Sequence, residues 1–174
     1  MPTHHTDERS KLDAILKEIN VFKHHAVKVG VLSNANAHKS KNGESSEMVK
    51  IAATHEFGKV IKVTAKMRAY LHSVGIHLKP STQTIHIPER SWLRSWVDEN
   101  KYKIDTMIAQ ALGTVEDGRE TASHALKKLG VWASNGIKVK IRKGPFAALK
   151  FRQGNPLNDT AQFRNSINSE VVKL

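Results

Sequence analysis

Residues 91–143 read SWLRSWVDENKYKIDTMIAQALGTVEDGRETASHALKKLGVWASNGIKVKIRK, and their apolar spacing decides the fold class. Trp92, Leu93, Trp96, Val97, Ile104, Ile108, Ala111 and Leu112 recur at the helical period, which predicts a helix over 91–112. Gly113 is read as its stop. Thr114 is read as the N-cap of a second helix, with Glu116, Asp117 and Glu120 in its first turns. Ala122, Ala125, Leu126, Leu129, Trp132, Ala133 and Ile137 carry that helix on, and Gly144-Pro145 breaks it. The segment IKVKI alternates, so the last turns also read as extended chain.

Working outward, the flanks add strands. Upstream, 26–32 alternates Val27, Val29 and Val31 with Lys28 and Gly30, as a half-exposed strand does. Before it, Leu12, Ile15, Leu16, Ile19 and Phe22 mark an amphipathic helix over 7–22, whose narrow stripe implies docking on something larger. The polar run 33–46 reads as a loop, and 47–56 as a short helix capped by Ser46 and ended by Gly58. Strands at 59–64 and 83–87 flank a short helix at 65–74, together a hairpin-like insertion over about 59–88. Downstream, 146–158 is irregular, Asp159 or Thr160 caps a short helix over 161–165, and 166–172 alternates as a terminal strand. The prediction is α+β: an antiparallel sheet packed against two long helices. Residues 1–25 form an N-terminal helical arm and 26–174 a single domain.

The chain has 174 residues, 28 Lys and Arg against 16 Asp and Glu, and a net charge of +12. It has no cysteine, which excludes a disulfide scaffold, Cys-ligated metal and a thiol nucleophile. No apolar run approaches the roughly 20 residues that span a bilayer, and the N-terminus lacks a signal-peptide core, so a protein made in a cytoplasm without membrane contact is expected. The charge is uneven. Stretches 57–88 and 121–158 contain no acid yet carry 13 of the 28 basic residues. Lys59, Lys62, Lys66, Arg68, Lys138, Lys140, Arg142 and Lys143 are therefore candidates to meet DNA or an acidic partner; the alternative is a merely solvated basic surface.

Little else points to chemistry. The ten histidines include adjacent pairs, and His72, His77 and His86 could face one another across the insertion, but no metal-site spacing occurs. Glu56, Glu89 and Asp159 stand isolated, and Asp159-Thr160 reads as a helix cap rather than an acid or base. No nucleophile elbow, P-loop or dinucleotide fingerprint is present. Trp92 and Trp96, four apart, are either core or an interface anchor.

Three segments read together resemble the phage tail-completion family. Residues 49–58, VKIAATHEFG, are similar to a segment ending in H/N-E-F-G. Residues 85–93, IHIPERSWL, resemble its I-P-x-R-x-F/W-L motif, and 154–167, GNPLNDTAQFRNSI, its P-L-x-D-T-G-x-L-x-x-S-I motif. The intervening KMRAYLHSVGIHLKPSTQTIHIP resembles the insertion of the Mu-like virion-morphogenesis branch. Ala161 and Phe163 depart from the usual glycine and leucine, and Glu89 from a small or apolar residue.

The resemblance implies a structural protein of the neck of a tailed phage, made in the host cytoplasm and carried in the virion. It would complete the tail and join it to the head as a sixfold homo-oligomeric ring around the DNA channel. Its partners would be the head-tail connector, the tail terminator or tail tube, and the phage DNA. It implies no enzyme, cofactor or metal. Glu56, Phe57, Gly58, Pro88, Arg90, Trp92, Pro156, Asp159 and Thr160 would serve as structural or interface positions. Pro88 would set the strand-to-helix entry, Phe57 would pack under the following strand, and Arg90 would stand free to reach a carboxylate. The alternative is a freestanding basic nucleic-acid-binding protein.

Overall fold

The computed structural model describes residues 4–32, 38–39, 45–46, 48–146, 157 and 162–174. In chain order the elements are α1 (His4–Lys23), β1 (His25–Val31), β2 (His38–Lys39), β3 (Ser45–Ser46), α2 (Met48–Phe57), β4 (Lys59–Lys62), α3 (Ala65–Ser73), β5 (Thr84–Ile87), α4 (Arg94–Glu116), α5 (Ala122–Lys143), α6 (Gln162–Asn165) and β6 (Ile167–Lys173). The class is α+β, as the hydrophobic periods predict. The strands form three separate antiparallel pairs, β1–β6, β2–β3 and β4–β5, rather than one continuous sheet.

The first and last long strands close the domain. β1 pairs with β6 from His25↔Lys173 to Val31↔Ile167, and Lys28 lies opposite Glu170. α5 crosses this pair at Gly130, where a Cβ would come within 2.6 Å of Ser169 Oγ and 3.0 Å of Val27 Cγ1. α4 packs beside α5 through Trp96, whose ring would lie 2.6 Å from a Cβ at Gly136. These two glycines bring a helix and a sheet, then two helices, to a distance larger residues would forbid.

Trp92, Trp96, Ile137, Ile141, Phe163 and Ile167 anchor the main core, and Trp92 meets Phe163 edge-on at 5.2 Å. Both tryptophans are therefore core. A second cluster joins Val115, Ala122 and Ala125 to Ile19 and Phe22 of α1. The α1 stripe thus docks in part on its own chain, while Leu12 and Leu16 stay exposed.

Three boundary expectations need correction. α4 runs through Gly113 and Thr114 to Glu116. The turn comes at Gly118, whose φ of +67° supplies the left-handed geometry that ends a helix, and the Arg119 N–H donates to Thr114 O. Thr114 bonds back to Ala111 O, and the N-cap of α5 is Thr121. Consequently Glu116, Asp117 and Glu120 precede α5, whose first turn holds no acid. The anion it receives there is Glu18 of α1, which accepts from the Ala122 N–H at 2.8 Å.

Finally, α5 stays helical to Lys143. Ile137 and Ile141 are buried while Val139 between them is 45% exposed, the burial of a 3.6-residue period rather than a period of two.

Candidate functional site

The HEFG segment at 55–58 and the IPERSWL segment at 87–93 meet at one junction. Glu56 sits in the last turn of α2, a poor place for an anion with respect to its own helix dipole. Its carboxylate instead caps α4. Oε2 accepts the N–H groups of Trp92 and Leu93, each at 2.9 Å. Oε1 accepts Ser91 Oγ at 2.9 Å and both the N–H and Nε of Arg94 at 3.0 Å. Leu93, the N-cap position of α4, makes no side-chain cap of its own, so Glu56 supplies from another helix what a local Ser or Asp usually provides.

The exchange runs both ways. Arg94 Nη2 donates to Glu56 O at 3.1 Å, placing a cation at the carbonyl end of α2. Its guanidinium also pairs with Glu89 at 2.5 Å and lies 4.8 Å over the Phe57 ring. Desolvation pushes the Glu56 carboxyl up, but hydrogen bonds from the Leu93 and Arg94 backbones and from Ser91 and Arg94 side chains outweigh it and hold the group below its ordinary value. The hydrogen bond to Glu56 raises Arg94. A carboxylate with its lone pairs so filled serves as a brace, its acceptor sites taken up by the donors of α4.

Gly58 completes the junction. Its φ is +70°, and a Cβ there would lie 2.9 Å from both Glu89 N and Ile87 O. The Arg90 N–H donates to His55 O at 2.8 Å. Arg90 itself is buried, 5% exposed. Phe57 does not pack under β4; it is 64% exposed and carries Arg94 on its face. His55 is half-buried, with Nδ1 unpartnered among the described residues and its ring 6.0 Å from Phe163. Burial, then the charge of Arg90, lowers its pKa.

The third segment reaches the same place. Pro156, Asp159 and Thr160 lie outside the described residues. Leu157, Phe163 and Ile167 are buried in the core cluster that holds Trp92 and Ala52, and Trp92 Nε1 donates to Ala52 O at 3.4 Å. All three segments therefore surround Trp92. Pro88, partly buried, leads from β5 into the junction.

The candidate cations are dispersed. Lys59, Lys62 and Lys66 are exposed on β4 and α3. Arg68 is spent internally, donating to the carbonyls of Leu78, Lys79 and Thr82 at 3.3, 2.9 and 2.7 Å. Lys138, Lys140, Arg142 and Lys143 lie in the last turns of α5, where Lys140 pairs with Glu99 of α4. Among the histidines, His72 and His77 come together, Nδ1 to Nδ1 at 2.8 Å, whereas His86 sits on β5 opposite Val60. No group of three possible metal ligands occurs among the described residues.

A groove of about 510 Å³ opens between α1, β1, α4 and α5, lined chiefly by apolar side chains such as Phe22, Val29, Ile104, Leu129 and Trp132. Among the described residues that line it, no acid, base and nucleophile come together. No described helix is long and apolar enough to cross a membrane.

Sequence reading missed Ser91 and Arg94 as partners of Glu56, and Glu18 as the cap of α5. One signal was available: the first turn of α4 carries no acid of its own. Comparison with protein-family models, with characterised proteins and with solved structures returns no match.

Proposed function

We propose that this chain is a structural component of the neck of a tailed phage, completing the tail and joining it to the head as a ring around the DNA channel. The observation that carries the reading is the convergence of the three family-like segments around Trp92, with Glu56 spent on capping α4. The work done at this convergence is positional, which suits a protein that acts by assembly. Leu12, Leu16 and the open apolar groove offer surface for neighbouring copies.

A freestanding nucleic-acid-binding protein is the second reading, favoured by the net charge of +12 and the acid-free stretches. Light scattering and negative-stain images of the purified protein separate the two. Closed rings support the neck reading. A species that stays monomeric at every concentration, and that particles can lose without a defect in head–tail joining, overturns it.

A further inference from the structure

The unit from β4 through α3 to β5 is built as a projection rather than as part of the core. Among the described residues its strands pair only with each other, from Lys59↔Ile87 to Lys62↔Thr84. α3 buries no residue, and no residue of 59–87 belongs to either core cluster. A segment so placed is ordinarily floppy. This one is braced: Thr64 caps α3, Arg68 ties the return segment through three carbonyls, and Gly58 seats the base against Ile87 and Glu89. One face of the ribbon leaves Val60, Lys62, Thr84 and His86 exposed, while Ile61, Ile85 and Ile87 are half-buried.

Its charge is all of one sign. From 57 to 88 there are four lysines and one arginine and no acid. With Arg68 committed internally, the cations presented to solvent are Lys59, Lys62, Lys66 and Lys79, all exposed. Four like charges without an acid on one arm of a chain already at +12 repel one another unless a polyanion neutralises them.

We propose that this arm docks on the sugar–phosphate backbone of duplex nucleic acid, without reading its sequence. The charge chemistry suits the dense, regular charge of a duplex backbone. Lysines on flexible stems act as point charges that suit phosphates spaced at about 1.7 Å of duplex axis. The inference deepens the neck reading by naming which part of the chain faces the DNA, and it rests on that reading only for the source of the nucleic acid.

The test is binding of a random-sequence 30-base-pair duplex followed by fluorescence anisotropy against salt, with ring size measured in parallel by sedimentation. One variant carries Lys59→Gln, Lys62→Gln, Lys66→Gln and Lys79→Gln. A charge-matched control carries Lys17→Gln, Lys101→Gln, Lys103→Gln and Lys127→Gln, all at exposed positions. Every phosphate left without its lysine lowers the salt slope by about 0.9, so the arm variant, short of four lysines, is expected to lose a slope of about 3.6. That removes roughly 100-fold of the affinity change between about 50 and 200 mM salt. The control should drop by less than the slope of a single phosphate, and circular dichroism shows whether both variants fold. Equal slopes for arm variant and control overturn the proposal. So does an arm variant that keeps its slope but loses its rings, since the arm would then bind protein. A slope that falls in a protein forming no ring supports the arm while removing the neck reading.

Discussion

Replacing Glu56 by glutamine keeps the size of the side chain and removes its charge. The carboxylate accepts five hydrogen bonds, three of them from the backbone N–H groups that open α4. Glutamine can satisfy one side of that set with its carbonyl, but its NH₂ then faces donors. If the NH₂ takes the place of Oε2, the N–H groups of Trp92 and Leu93 lose their acceptor, and the first of these is buried. Leaving buried donors unpaired costs about 1–3 kcal/mol each. The loss of charge-assisted capping adds about 1 kcal/mol. A total near 4 kcal/mol is a large part of the roughly 5–15 kcal/mol that stabilises a domain. It corresponds to a fall in Tm on the order of 10 °C for a chain of this size.

Arg94→Met should behave differently, because the Arg94 side chain is 50% exposed and its ion pairs are screened. Its cost should be well below that of Glu56→Gln. Urea denaturation of the two single variants and the double variant measures both effects and their coupling. If Glu56→Gln costs less than Arg94→Met, the view of Glu56 as a buried cap of α4 fails.

Gly58→Ala should cost about 3 kcal/mol, because the positive φ and the backbone atoms 2.9 Å from its Cβ both resist a side chain; Gly113→Ala, which meets nothing within 4 Å, should gain up to about 1 kcal/mol by helix propensity. Paired melts of these two variants check the contrast. Stability should also fall with pH in two windows. His55, whose folded pKa is lowered by burial and by Arg90, favours the folded state fully only above its ordinary value of about 6.5 and loses that advantage as pH falls through the lowered one. Glu56, also lowered, contributes fully above about pH 4.3 and is lost below that as pH falls through its folded value. Urea midpoints for His55→Phe should be flatter near pH 6, and those for Glu56→Gln flatter in the acid window. Deleting residues 1–22 should destabilise the monomer through loss of Ile19, Phe22 and the Glu18 cap, whereas Leu12→Ser with Leu16→Ser should change folding by less than about 0.5 kcal/mol and act only on self-association. Denaturation and sedimentation of both forms decide it.

Much of the element order was legible because hydrophobic period is a local property. The spacing from Leu12 to Phe22, the Val27-Val29-Val31 alternation and the apolar run from Trp92 onward each report one element without reference to the rest of the chain. Boundaries failed where two local signals competed. Gly113 looked like a stop, yet a helix ends where a residue adopts left-handed backbone, and that residue is Gly118. IKVKI fits both periods, and the packing of Ile137 and Ile141 in one core selected the helix. The pairing of β1 with β6, the capping of α4 by Glu56 and of α5 by Glu18 join residues distant in the chain. No short-range pattern encodes which partner a buried carboxylate finds. Sequence alone determined that the chain is basic, α+β and made of these segments; the tertiary structure decided that HEFG and IPERSWL form one brace, because only packing brings an anion at one helix's end to the unpaired N–H groups at another's start.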